Sequence, residues 1–159
     1  MISFRTYLSE LTNRPLPYTW STITFGGRRA TFTADNGMPY KVFFMQYNPS
    51  PQFPIPSQTG WEVIFELMDG HTDGHEITGT GMSLQVFSTV VAIMQDFVRQ
   101  VHPVQFSFTA KEPSRQRLYR LFARQVTRYF PGWRSETRPA WRGNPVETYW
   151  FVKDWFVKD

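Results

Sequence analysis

The chain has 159 residues, no cysteine and a formal net charge of +4. That length makes one domain of ordinary size, and the lack of cysteine excludes disulfide scaffolds, thiolate metal sites and a cysteine nucleophile. Hydrophobic residues make up 41% and aromatic residues 18%, led by 15 Phe, which is enough large apolar surface to fill a core and argues against disorder.

No run approaches the ~18 apolar residues that a membrane helix needs. The amino terminus MISFRTYLSELT lacks the basic start and continuous apolar segment of a signal peptide, so a cytoplasmic, non-secreted protein is expected. Charge is unevenly placed. Between Arg99 and Arg142 lie ten of the 17 basic residues against only Glu112 and Glu136, whereas Trp61 to Thr80 holds Glu62, Glu66, Asp69, Asp73 and Glu76 and no Lys or Arg. If these segments lie on separate surfaces, the molecule carries an acidic and a basic patch.

Phe4, Tyr7, Leu8 and Leu11 fall at helical spacing behind Ser3 as a cap, predicting a short first helix that Pro15 and Pro17 end. From Thr19 the period becomes two. Trp20 to Phe25, Arg29 to Ala34 and Pro39 to Tyr47 read as strands of an antiparallel meander, separated by Gly26-Gly27 and Asp35-Asn36-Gly37. Pro49, Pro51, Pro54 and Pro56 mark an extended connection. Trp61 to Met68 is the next strand, and His75 to Thr80 can pair back on it after the turn MDGHTDG.

The helical period returns with Phe87, Val90, Val91, Met94, Val98 and Val101, predicting a helix from about Ser83, as its cap, to Val101, stopped by His102-Pro103. Val104, Phe106, Phe108 and Ala110 alternate with Gln105, Ser107 and Thr109 in a strand parallel to its neighbour if that helix is a crossover. Pro113 opens a second long helix with Leu118, Leu121, Phe122 and Val126 on its apolar face, ending near Pro131-Gly132. Trp133 to Arg138 and Val146 to Val152 close a hairpin. The expected class is α+β, a mostly antiparallel twisted sheet, with residues 1–154 as a single domain and the second copy of WFVKD, residues 155–159, as a peripheral tail.

Trp61 to Val152 resembles the C-terminal two thirds of the GNAT N-acetyltransferase fold, with its β-α-β-α-β-β order. Two segments carry the likeness: Thr78-Gly79-Thr80-Gly81 before the helix at Ser83, and Ser114-Arg115-Gln116-Arg117-Leu118-Tyr119 ahead of Gly132-Trp133. GTG with VFSTV, and FSFTAKEPSRQRLY, also resemble small uncharacterised tailed-phage proteins of GNAT-like type, which would place the protein in the host cytoplasm.

The resemblance implies acetyl-coenzyme A held at Gly79, Thr80, Gly81, Met82 and Ser83, with Tyr119 protonating the departing thiolate. An amine acceptor also requires a base, for which Glu62, Glu66 and His75 are the candidates. Glu76 stands where the family usually places Arg or Gln, which sets a like charge against a pyrophosphate. The glycines can equally serve a sharp strand-to-helix turn, and Tyr119 can equally be a packed helix tyrosine.

His71-Thr72-Asp73-Gly74-His75-Glu76 gathers metal-type side chains, but Asp73-Gly74 predicts a turn and no third distant ligand follows, so no metal is expected. Arg117, Arg120, Arg124 and Arg128, with Arg115 near the helix start, form a basic stripe. That stripe, or the acidic strand, supports a second reading: a non-catalytic phage-type protein of the same fold that binds a host or virion protein. Nucleic-acid binding is a lesser alternative, since no helix-turn-helix, zinc finger or aromatic ribonucleoprotein motif accompanies the stripe.

Overall fold

The chain folds as α+β, and the computed structural model describes residues 15–23, 26–34, 37–49, 53–67, 81–110, 120, 122–124, 128–138 and 147–154. Among them β1 (Tyr18–Thr22), β2 (Arg28–Thr33), β3 (Pro39–Tyr47), β4 (Gly60–Leu67), β5 (Gln105–Ala110), β6 (Trp133–Arg138) and β7 (Glu147–Lys153) form one sheet in the order β1-β2-β3-β4-β5-β7-β6. Every neighbouring pair is antiparallel except β4 and β5, which run parallel. The predicted first helix, the returning strand at His75 to Thr80 and the second WFVKD copy lie outside the described residues.

The three-strand meander forms where the period of two predicts it, although β1 begins at Tyr18 and ends at Thr22 rather than running from Trp20 to Phe25. Strict alternation sorts its side chains. Registers Phe32↔Tyr40, Ala30↔Val42, Val42↔Phe65 and Phe44↔Val63 put these residues on one face, and all are buried. Tyr40 links that face laterally, stacking on Phe32 at 5.3 Å and on Phe65 at 5.4 Å.

The helix α1 (Gly81–Val101) lies across this face. Its 21 residues span roughly 31 Å at 1.5 Å per residue, about the length of a small domain. Val86, Phe87, Val90, Val91, Ile93, Met94 and Phe97 are buried, whereas Val98 and Val101, expected on the apolar stripe, are half-buried. Phe97 takes the central place instead, stacked on Phe44 at 4.2 Å and edge-on to Trp61 at 5.1 Å. The helix starts at Gly81, so Ser83 lies within its first turn and is not its cap. At the other end His102 adopts φ 53°, and its N–H donates to the Val98 carbonyl at 3.0 Å. This is the left-handed C-terminal cap, and Pro103 behind it bars further helix.

Asp96 ties β1 to α1. It accepts hydrogen bonds from Trp20 Nε1 at 2.8 Å, Tyr18 Oη at 3.2 Å and Gln100 Nε2 at 3.1 Å. Burial alone would raise its carboxyl, but these three bonds and the nearby Arg99 charge outweigh burial and hold it below the ordinary carboxylate range.

The second helical stretch, seen at Arg120, 122–124 and 128–129, packs on the same side. Phe122 meets Phe87, Phe108, Phe130 and Phe151 at ring separations from 5.1 to 6.4 Å.

On the opposite face, alternation alone would leave Gln105 and Ser107 in water, yet both are buried. For Gln105 the proline-rich connection is the reason. Phe53 and Ile55 pack on Trp150 and Val152, and the Gln105 amide serves the connection's backbone on both sides. Its Nε2 donates to Ile55 O at 2.8 Å and Gln58 O at 3.0 Å, while its Oε1 accepts from Ile55 N at 2.9 Å. At Gly60 a Cβ would sit 2.4 Å from the Phe53 ring, so only glycine lets that ring close over the strand.

Two outcomes follow from this packing. Phe97→Ala empties the centre of the α1 interface and should cost about 3–5 kcal/mol, read as a lowered urea midpoint with unchanged m-value; a loss under ~1 kcal/mol would mean that the site collapses or that another side chain holds the helix. A carboxyl with a depressed folded pKa contributes stability that is present above its unfolded value near ~4 and lost as pH falls through the folded value. The gap between wild type and Asp96→Asn should therefore be about 1 kcal/mol at neutral pH and shrink in acid; a gap unchanged from pH 7 to 3 would deny the ionised role.

Candidate functional site at the parting of two parallel strands

A parallel pair needs a crossover, and α1 supplies it between β4 and β5. The pairing itself is short: Trp61↔Phe106, Glu62↔Ser107 and Val63↔Phe108. Beyond Val63 and Phe108 each strand follows its outer neighbour, β4 pairing with β3 as far as Leu67↔Tyr40 and β5 with β7 as far as Ala110↔Glu147. The shared ladder ends there, toward the carboxyl ends of two parallel strands, and this ladder end, called the fork below, is the general location of ligand crevices in such sheets.

The direction of α1 brings its amino end to the same side. Its C-terminal half, through Phe97, meets Trp61 near the start of β4, so Gly81 lies toward the end of β4 where the fork opens. The first turn contains no acidic residue, and the positive end of a helix dipole favours an anion. On the α1 side the fork is walled by buried Phe65 and Phe108. Two open grooves lie elsewhere: one is lined by Pro17, Thr19 and residues 31–33, the other by the second helical stretch, β6 and Tyr149 of β7.

On the other face, Glu62 sits at the root of the fork beside Ser107, which is 6% exposed. Tyr47 Oη donates to Glu62 Oε2 at 2.7 Å. That bond, then burial and the Glu62 charge, raise the Tyr47 phenol and keep it a donor through neutral pH. A carboxylate held this way has a fixed orientation and can accept a proton, directly or through water.

The predicted residues are placed unevenly. Gly81, Met82 and Ser83 form the first turn of α1, and Glu66 stands opposite Lys41 on the same strand as Glu62. Arg120, Arg124 and Arg128 are exposed on the second helical stretch. Gly79, Thr80, His75, Tyr119, Arg115 and Arg117 lie outside the described residues, as do His71, Asp73 and Glu76. Among the described residues no three His, Asp or Glu side chains gather around a common point, and no helix is long and apolar enough to cross a membrane. Phe44, Tyr149, Trp150 and Phe151 are buried in the core.

Sequence reasoning missed Tyr47 and Ser107. The signal for both is the register, since Tyr47↔Gly60 and Met45↔Glu62 bring Tyr47 diagonally to Glu62, and only the parallel step puts Ser107 beside it. No protein-family model matches the chain, and neither a curated protein nor a solved structure resembles it significantly.

Proposed function

We propose that the protein is a GNAT-like acyltransferase that transfers an acetyl group from acetyl-coenzyme A to an amine. The observation that carries this reading is the fork: two parallel strands whose registered pairing ends after three residues, with the amino end of the crossover helix toward that end. The strand order, with its one parallel step and a closing pair β7-β6, supports it. The acid-free first turn of α1 fits a pyrophosphate, to which Gly81, Met82 and Ser83 would offer backbone N–H groups. The cofactor supplies the activated thioester.

The chain's own residues then hold and move protons. Glu62, oriented by the Tyr47 phenol, takes the proton that the attacking amine must lose. Tyr119 is proposed as the donor to the leaving sulfur, on the resemblance of its segment to the family.

The rival reading is a non-catalytic, phage-type protein of the same fold that binds a host or virion protein. It draws on the exposure of Met45 and Tyr47 beside half-buried Phe43 and Ile64, an apolar area on the sheet face away from α1.

Saturating acetyl-coenzyme A at one hundred times its dissociation constant should stabilise the fold by roughly 2.7 kcal/mol in a thermal-shift series. Gly81→Asp should abolish that shift by setting a carboxylate at the helix start. No shift with the wild-type protein at millimolar ligand would abandon the enzyme reading and leave its rival. Where turnover is measurable, Glu62→Gln should lower kcat roughly 10²–10⁴-fold while the acetyl-coenzyme A affinity stays unchanged; retained turnover would remove Glu62 from the base role.

A further inference from the structure

The two edge strands of the sheet differ in composition. β6 carries Arg134, Glu136 and Arg138, charges of the kind that keep an edge from pairing with another chain. At the other edge β1 reads Tyr-Thr-Trp-Ser-Thr, without charge or proline, and pairs residue for residue with β2 with no bulge. Among the described residues β2 is its one neighbouring strand, and Thr19 and Thr22 are exposed. Two hairpin bonds fix which of its backbone groups face outward. Ile23 N–H donates to the Gly27 carbonyl at 3.2 Å, and Ala34 N–H to the Met38 carbonyl at 2.9 Å. Bonded and open pairs alternate along an antiparallel ladder. Counting back from Ile23, Ser21↔Arg29 and Thr19↔Thr31 are the bonded pairs of β1 with β2. Counting back from Ala34, Phe32, Ala30 and Arg28 bond to β3, which leaves Arg29 and Thr31 for β1. The two counts agree, so the N–H and C=O groups of Tyr18, Trp20 and Thr22 point away from β2.

We infer that β1 is a dimer contact: two copies of this chain pair their β1 strands antiparallel about a two-fold axis at Trp20, joining seven strands from each copy into one sheet. Three features fit a second copy in particular. First, the outward set is symmetric about Trp20. Pairing Trp20 with the partner's Trp20, and Tyr18 with the partner's Thr22, uses every outward N–H and C=O of both strands. Second, each side-chain pair so formed is of a favourable cross-strand class: aromatic on aromatic at Trp20, aromatic on β-branched for Tyr18 and Thr22, hydroxyl on hydroxyl for Thr19 and Ser21. Ser21 accepts from Arg29 Nε at 3.1 Å and keeps its own O–H to donate. Third, the edge is held in advance. Asp96 accepts from both Trp20 and Tyr18, which leaves those side chains little freedom to lose on pairing. The middle of α1 stands clear of the contact, because Phe97 rests on β3 and β4, at least two strands or about 10 Å in from this edge. Such a contact closes at two copies, whereas β1 against β6 would run on without end. The inference does not rest on acyl transfer at the fork.

Sedimentation equilibrium of the full chain over a concentration series should reach twice the 18.7 kDa of one chain. Thr22→Pro removes an outward N–H and leaves the β1-β2 bonds in place, so it should raise the dimer dissociation constant roughly tenfold or more with the folded spectrum retained. Thr19→Lys, which brings a cation toward the partner's Arg29, is a second and independent block. The chain has no cysteine, so the register can be read by cross-linking. Thr19→Cys and Ser21→Cys, mixed under oxidant, should bridge two copies, because these positions form an open pair with Cα atoms about 4.5 Å apart. Neither variant alone should bridge, since like positions lie about 8 Å apart across the axis. A chain that stays monomeric at millimolar concentration would overturn the proposal and leave the edge to a strand of another protein. So would a dimer that neither Thr22→Pro nor Thr19→Lys weakens, or bridging by each single variant as fast as by the mixture.

Discussion

The sheet depends on how α1 lies across it. A parallel strand pair cannot be closed by a tight turn, so β5 reaches its place beside β4 only because the intervening helix returns the chain along one face. Phe97 fixes where that return rests, between Phe44 of β3 and Trp61 of β4. With the helix anchored near the start of β4, its other end is committed to the side on which the two strands part. The fork and the helix amino terminus are thus two results of one packing contact.

The two faces of the sheet are covered by different means. On the α1 side, aromatic rings run across five strands, from Phe32 through Tyr40, Phe65 and Phe108 to Phe151, and helices cap them. On the other side, the proline-rich connection covers β5 and β7, while the face of β3 and β4 around Met45, Tyr47 and Ile64 stays partly open. Glu62 lies at that boundary. It accepts the Tyr47 hydroxyl and stands beside Ser107 in register, which is what distinguishes it from a carboxylate that only faces solvent.

Much of the architecture was legible in the residues. The period of two from Thr19 to Tyr47 and the helical period from Phe87 to Val101 mark elements that form close to where expected, because each is set by local alternation of apolar and polar side chains. The parallel placement of β5 followed from the helix before it. Periodicity says which side chains share a face, though not what will cover that face. Gln105 reads as solvent-facing because the proline-rich segment that buries it arrives from about fifty positions earlier. The partnership of Tyr47 with Glu62 was invisible for a similar reason, as it depends on a diagonal across β3 and β4 and not on any motif. Ser83 misled in the other direction: a good capping residue sits inside the helix because the glycine before it already adopts helical geometry.

Gln105 has a consequence for the order of assembly. Its amide engages three backbone groups of a segment 47 to 50 residues earlier in the chain, and a proline has no N–H to give a ladder. Until β5 is docked, these three bonds cannot hold that segment to one alignment; afterwards, a slip by a single position would strand a buried carbonyl or amide without a partner. The stretch between β3 and β4 is therefore fastened late, by a residue that emerges from the ribosome long after it, and the amino-terminal half of the nascent chain waits with that clasp undone.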